Sequence, residues 1–268
     1  MSTFFANDGT PLFYRDWGQG KPMLFLASLG MGSQMWDYQF AAFADAGWRC
    51  IGLDRRGHGR SDQPRHGYDF DALADDIAAL ITSLDLTDVT VIAHSMGCAE
   101  AIRYLSRHGK TRVARVVLLA PITPKLLQDH DNPGGLPRAG FQVLWDQWQR
   151  DYPKWIADNL SPFFIPETSA AMMEWGARQL TASVPVVVAL SRAMVNEDFR
   201  AEMREIDLPC LLIHGDRDRS APLEATAKPS AELLRGCRFL VYPGAPHGLM
   251  YTHTDRLHAD ILEFIQES

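Results

Sequence analysis

The sequence predicts an α/β protein with a mostly parallel, doubly wound sheet of about eight strands and an inserted helical cap. Three observations carry this expectation. Short, almost wholly apolar runs recur along the chain, with helix-like stretches between them. The stretch 122–195 breaks that rhythm. A small-x-Ser-x-Gly turn joins one apolar run to the helix pattern after it.

The runs come in order. Segments 3–6 and 11–16 flank Asn7-Asp8-Gly9, a hairpin turn signal. Segments 23–28, 48–53, 89–93, 113–120, 210–214 and 238–242 are nearly all apolar rather than alternating, as strands covered on both faces are. Amphipathic helix patterns separate them. In 70–84, Leu73, Ile77, Leu80, Ile81 and Leu84 recur at helical spacing; in 255–266, Leu257, Ile261, Phe264 and Ile265 do. Strands that alternate with helices make a parallel sheet.

Residues 122–195 contain no convincing strand. They are rich in Trp, Met and Pro and read as helices punctuated by Pro124, Pro133, Pro137, Pro153, Pro162, Pro166 and Pro185. The expected organisation is a core of 1–121 and 196–268 with a helical cap of 122–195.

Composition narrows the function classes. The chain has 268 residues, 46% of them hydrophobic, enough for a full core. Its net charge is −7 and no segment concentrates Lys or Arg, which argues against nucleic acid or an anionic membrane as partner. No window approaches about 18 uninterrupted apolar residues, so no membrane span is expected. The stretch 1–9 lacks a basic region followed by a long apolar run and does not read as a secretory leader. Cys50, Cys98, Cys210 and Cys237 are scattered, without a Cys-x-x-Cys pair. Buried, inert thiols in a reducing cytoplasm are the expectation, with no metal. A homo-oligomer is compatible with this composition.

The chemistry starts at Ala93-His94-Ser95-Met96-Gly97, between the strand 89–93 and a helix pattern over 96–107. A turn this tight strains the Ser backbone and brings the chain close to itself, so the residues two before and two after must be small. Ser95 then sits at a helix N-terminus, where free N–H groups favour negative charge. An ordinary Ser N-cap is the plainer alternative.

A Ser hydroxyl needs a base, and the base an orienting acid. In α/β-hydrolase turns of this kind the chain order is Ser, acid, His. Of nine His, His247 follows the last strand in Pro243-Gly244-Ala245-Pro246-His247-Gly248 and precedes the final helix. His94 adjoins Ser95 and is expected to point elsewhere; His253 and His258 read as surface residues. The strand 210–214 ends in a loop holding Asp216 and Asp218. Both fit local chemistry. Asp218 lies further into the loop and is favoured, with Asp216 bonding the turn. Acyl transfer also needs two donors for the oxyanion. One is the N–H of Met96; the other comes from the loop after 23–28.

Along nearly its whole length the chain resembles the bacterial cofactor-free haloperoxidases and aryl esterases of the α/β-hydrolase superfamily. The matching residues are Met35-Trp36, the stretch 54–64 (Asp54-Arg55-Arg56-Gly57-His58-Gly59-Arg60-Ser61-Asp62-Gln63-Pro64), His94-Ser95-Met96-Gly97 and the stretch 132–137. Asp198-Phe199-Arg200, His214-Gly215 with Asp218 and Pro222, and Ala245-Pro246-His247-Gly248 complete them. The resemblance implies Ser95, Asp218 and His247 as triad and the N–H groups of Leu29 and Met96 as oxyanion donors. It makes 54–64 a structural turn. One string departs. Where the family usually reads His-Gly-Trp and then Pro or Leu, this chain has Ala27-Ser28-Leu29-Gly30. Ser28-Leu29-Gly30 is similar to the loop of β-ketoadipate enol-lactone hydrolases. Peroxide chemistry in the family is associated with this loop, so the departure favours ester or lactone hydrolysis.

The cap carries Phe141, Trp145, Trp148, Trp155, Phe163, Phe164, Met172, Met173 and Trp175. Most should pack cap against core. Trp36, Phe141, Trp145, Trp148 and Trp155 are the candidates for lining a mainly apolar substrate pocket. The expected protein is a serine hydrolase that cleaves a small to medium carboxylic ester or lactone through an acyl-enzyme, with no cofactor and no metal. The alternatives are a cofactor-free perhydrolase or haloperoxidase, a carbon–carbon bond hydrolase, and a non-catalytic ligand-binding member of the fold. A dehalogenase would need Asp at the elbow, where Ser95 stands.

Overall fold

The computed structural model describes residues 2–268. Its strands are β1 (Thr3–Phe5), β2 (Pro11–Gly18), β3 (Pro22–Leu26), β4 (Arg49–Leu53), β5 (Val89–His94), β6 (Val113–Leu119), β7 (Cys210–Gly215) and β8 (Arg238–Tyr242). The helices are α1 (Asp37–Asp45), α2 (Phe70–Ser83), α3 (Met96–His108), α4 (Arg138–Leu160), α5 (Ala170–Ala177), α6 (Val184–Asn196), α7 (Arg200–Arg204), α8 (Ala227–Leu233), α9 (Leu249–Thr252) and α10 (Thr254–Glu267). Every expected strand is present. The run 23–28 ends as a strand at Leu26, because the carbonyls of Ala27 and Ser28 turn to the Arg55 guanidinium instead of a neighbouring strand.

One eight-stranded sheet runs in the order β1-β2-β4-β3-β5-β6-β7-β8. The β1–β2 and β2–β4 pairs are antiparallel; all others are parallel. The chain lays β4 on one side of β3 and then returns to lay β5 on the other. The connections after β3 and β5 therefore leave the sheet in opposite directions and open a crevice at its carboxyl edge.

Successive residues of each strand feed two separate apolar layers, as a pleat demands. Leu24, Leu26, Val91, Ala93, Val116, Leu118 and Leu212 face α2 and α3. Met23, Phe25, Ile92, Val117, Leu119, Leu211 and Ile213 face α1 and α10. The strands are buried on both faces, so the absence of polar alternation has its cause.

Between β6 and β7 the chain carries α4 to α7. Phe141, Trp145, Trp148, Val186, Val187 and Leu190 join the layer of α2 and α3, and Phe164 joins the other. The helix α4 breaks at Asp151 (φ −158°, ψ 79°), two residues before Pro153. Pro153 has no N–H and clashes with the preceding turn. The Asp151 carboxylate accepts from Lys154 N at 3.0 Å and so restarts the helix. Among the described residues no helix is long and apolar enough to cross a membrane.

Arg56 fastens the turn 54–64 to its surroundings. Its buried guanidinium donates to both oxygens of buried Asp76 on α2, at 2.7 and 2.7 Å, and to Asp8 of the hairpin turn at 2.9 Å. Burial pushes the Asp76 carboxyl up, and Arg56 only partly offsets this. Removing one partner of such a pair strands the other. Arg56→Leu should cost about 3–5 kcal/mol of stability, read as a lower urea midpoint. A midpoint equal to the parent's would show that Asp76 tolerates burial alone.

Candidate active site

The chain leaves β5 at His94 and enters α3 at Met96. Ser95, between them, takes φ 56° and ψ −116°, a region that costs a non-glycine residue energy. Ser95 N–H donates to the Leu119 carbonyl of β6 at 2.9 Å and its own carbonyl accepts from Cys98 N at 3.1 Å, which hold the turn. A Cβ on Gly97 would lie 2.6 Å from the Leu26 carbonyl oxygen. The requirement for a small residue is therefore a backbone contact between α3 and the end of β3.

The loops after β7 and β8 touch as closely. A Cβ on Gly215 would fall 2.0 Å from the Ala245 carbonyl oxygen. Arg217 N donates to that carbonyl at 3.0 Å, and the exposed Asp216 accepts from Gly244 N at 2.7 Å. With these loops locked, His247 Nδ1 meets Asp218 Oδ2 at 2.6 Å. The other Asp218 oxygen accepts N–H groups of Ser220 and Ala221, both at 2.8 Å. Burial would raise the Asp218 carboxyl, but His247, His214 and the Ala221 N–H hold it below its usual value. His214 Nε2 donates to the Ala221 carbonyl at 2.8 Å, and burial foremost lowers the pKa of its ring.

The structure thus joins Asp218 and His247 directly. It brings Ser95 to the same place through its neighbour: the His94 and His247 rings lie 4.6 Å apart, centroid to centroid. Among the described residues Ser95 Oγ has no hydrogen-bond partner. Such contacts are often loose before substrate binds. His94 does not point away, as the sequence reading had it. It is fully buried, with Nδ1 2.5 Å from Ser28 Oγ and Nε2 2.9 Å from the His247 carbonyl.

The segment 27–32 is held on every side. Arg55, buried and paired with buried Glu100, donates to the carbonyls of Ala27 (2.7 Å) and Ser28 (3.1 Å). His58 Nδ1 donates to the Arg56 carbonyl at 3.0 Å, so its bare Nε2 accepts Gly30 N–H at 3.1 Å. From the cap, Thr181 N and Ala182 N donate to the Gly30 carbonyl at 2.8 and 3.1 Å. The backbone N–H groups of Leu29 and Met96 have no acceptor among the described residues. The turn 54–64 is structural, as expected, and its work is to support this segment. Sequence patterning held no signal for these partnerships.

The pocket candidates fare unevenly. Trp36 is fully buried and packs on Phe25 (5.4 Å) and edge-on to His94 (6.4 Å), so it belongs to the layer beneath the site. Trp145 is buried too, its indole N–H donating to Ser191 of α6 at 2.9 Å, which makes it an internal cap contact. Trp148 packs against Trp155 (5.1 Å) and Tyr152 (5.9 Å). Phe141 and Trp155 line an open groove of about 700 Å³ along α4, and none of Ser95, Asp218 and His247 borders it. Beyond His94, the Phe163 ring packs on the base, 5.5 Å from that of His247, and the Phe163 carbonyl accepts Gly248 N–H at 3.1 Å. Leu180, Tyr152 Oη and Val187 surround the open side of Gly30. In the cap loop, Asp129, His130 and Asp131 lie close enough to share an ion. Their carboxylates are already paired, with Lys125 at 2.6 and 2.8 Å and Arg200 at 2.9 Å.

Loops at the carboxyl edge of a parallel sheet, one with a strained Ser and two sharing a His–Asp pair, define an α/β hydrolase. Within that class the chain belongs to the alpha/beta hydrolase fold family, whose model matches residues 21–180. It is 36% identical to a non-heme haloperoxidase of Rhodococcus erythropolis, over 97% of this chain and 98% of that protein. It is 32% identical to a bifunctional esterase/perhydrolase of Acinetobacter calcoaceticus, over 97% of this chain and 98% of that protein. An esterase structure from Exiguobacterium antarcticum superposes with a TM-score of 0.95 at 28% identity, covering 99% of each chain.

His58 gives this support a pH signature. Burial first, then the Arg55 charge, push its pKa from 6.5 down to about 3. The folded value lies below the unfolded one. The stability from keeping His58 neutral is therefore whole above pH 6.5 and lost as pH falls from 6.5 towards 3. The slope is about 1.4 kcal/mol per pH unit for one proton. Urea unfolding of His58→Asn between about pH 6 and 4 should show a slope flatter by roughly that amount. An unchanged slope would mean that His58 is not the titrating group.

Proposed function

We propose that the protein is a serine hydrolase that cleaves a small to medium carboxylic ester or lactone through an acyl-enzyme. The observation that carries this reading is the Asp218–His247 hydrogen bond at the strand ends beside a strained Ser95. Asp218 is an acceptor on both oxygens, so His247 donates from Nδ1, which in the neutral ring leaves Nε2 as the acceptor. A bare Nε2 is the base the reaction needs.

Ser95 Oγ attacks the carbonyl carbon while His247 Nε2 takes its proton. The carbonyl π pair moves onto oxygen, and the N–H groups of Leu29 and Met96 receive the oxyanion. When the intermediate collapses, the carbon–oxygen bond to the alcohol breaks and His247 returns the proton to that oxygen. A lactone keeps this alcohol tethered to the acyl group. Water then attacks the acyl carbon, giving its proton to His247; as the bond from that carbon to Ser95 Oγ breaks, His247 passes the proton to Oγ and the acid leaves. Losing one oxyanion donor costs roughly 2.7–4 kcal/mol in comparable sites, which gives the bonds from Arg55, His58, Thr181 and Ala182 that hold 27–32 their value.

Perhydrolysis is the second reading, and the names of the haloperoxidase and esterase/perhydrolase relatives favour it. Hydrogen peroxide would replace water at the acyl-enzyme and leave with the acyl group as a peracid. The Ser28-Leu29-Gly30 string speaks for water. Gly30 holds φ 82°, which a Pro, one of the two residues usual there in the family, could not adopt and a Leu rarely does. Peroxide-dependent halogenation of a dye in acetate should be weak beside ester hydrolysis; halogenation outrunning hydrolysis would reverse the order.

A fluorophosphonate probe should label Ser95, and Ser95→Ala should lower turnover of p-nitrophenyl esters and lactones by roughly 10⁴-fold or more. Full activity without Ser95 would end the acyl-enzyme reading. An unlabelled parent with no turnover would mark a ligand-binding member of the fold.

A further inference from the structure

We propose that His94 is a positioning residue: with Ser28 it clamps the backbone of His247 in register with Leu29 and Ser95. The inference rests on the triad reading above.

Donor and acceptor logic fixes the clamp. The His247 carbonyl can only accept, so His94 Nε2 carries the proton in the 2.9 Å bond. Nδ1 is then bare and accepts, so the Ser28 hydroxyl is the donor in the 2.5 Å bond. Proton direction runs one way, from Ser28 through the His94 ring to His247. The ring is fully buried and its two nitrogens are both satisfied. Burial keeps it neutral, and neutrality is needed, because a second proton would displace the Ser28 bond.

Three loops meet at this one side chain. Ser28 adjoins Leu29 after β3, His94 adjoins Ser95 after β5, and His247 follows β8. These loops carry one oxyanion donor, the nucleophile and the base. The side chain of His247 is oriented by Asp218; its backbone carbonyl is held by His94. Trp36 and Phe163 close on the His94 ring at 6.4 and 6.5 Å, edge-on in both cases, and leave it little freedom to turn. A displacement of about 1 Å in such a constellation costs on the order of 100-fold in rate.

The test is a cycle of His94→Leu, Ser28→Ala and the double variant on a p-nitrophenyl ester, with rates expressed per fluorophosphonate-titrated site. His94→Leu should lower kcat about 10–100-fold with KM nearly unmoved. Ser28→Ala should lower it less, and the double variant should be no slower than His94→Leu, since one chain of bonds is broken once. His94→Gln, which keeps a donor and an acceptor, should recover part of the loss. Unchanged kcat per titrated site in either single variant, or losses that simply add, would overturn the proposal. Should His94→Leu fail to fold, Ser28→Ala alone decides: a normal kcat refutes the clamp. Activity surviving Ser95→Ala would instead overturn the triad reading itself.

Discussion

The contact on which the rest depends is the one between Gly97 and the Leu26 carbonyl. With a Cβ at 97 the two backbones would overlap, and α3 could not start against the end of β3. Because it does, α3 begins at Met96 beside the end of β3, and the N–H groups of Met96 and Leu29 both have no acceptor among the described residues. The Ser95 backbone strain, of order 1–3 kcal/mol, is sustained by β5, which is buried throughout and flanked by β3 and β6. A strained residue at a sheet edge would relax. Here the Ser95 N–H is bonded to β6 and its carbonyl to α3, so relaxation would break both.

The second constraint is that nothing near the site hangs from regular structure alone. Segment 27–32 has left the sheet, and its backbone groups are taken by side chains: Arg55 on two carbonyls, His58 on one N–H. Arg55 lies buried, so Glu100 must lie buried beside it, and burial raises the Glu100 carboxyl against the pull of Arg55. Apolar side chains of the same volume could fill that space at less electrostatic cost. They could not accept or donate to a loop. The buried ions are thus the means by which an irregular segment acquires a single conformation, and the cap adds the bonds from Thr181 and Ala182 to Gly30.

This division explains what could be read from sequence. The strands were legible because burial on both faces writes an unbroken apolar run, and Ser95, Asp218 and His247 stood out by lying just past such runs. Distance along the chain hid the remainder. Arg55 and Glu100 are 45 residues apart, Ser28 and His94 are 66, and His94 and His247 are 153. Helical periodicity tells which face of a residue is covered but not by what. Phe141, Trp145 and Trp148 on one face of α4 read mostly as packing, with pocket lining as the alternative, and Trp145 packs inside the cap. Trp36, in the single 3-10 turn Ser33–Trp36, gave no period at all. His94 looked idle because its position beside Ser95 says nothing of its ring nitrogens.

Relatives of this chain carry the names haloperoxidase, esterase/perhydrolase and esterase, which is what the site leads one to expect. On the proposed mechanism they share the acyl-enzyme and differ in what attacks it. The elements that would form the acyl-enzyme are fixed by main-chain contacts: Gly97 on Leu26, Gly215 on Ala245, Ser95 on Leu119. Those contacts admit almost no variation. Segment 28–30 adds side-chain bonds to its backbone ones: Arg55 on Ser28, His58 on Gly30 and His94 on Ser28. Ser28 bonds to His94 only because both are present, and Gly30 takes its positive φ only because it is glycine. On the proposed mechanism the fold therefore holds Ser95 by main-chain contacts alone and leaves the approach of the attacking molecule to a loop that side chains help to hold.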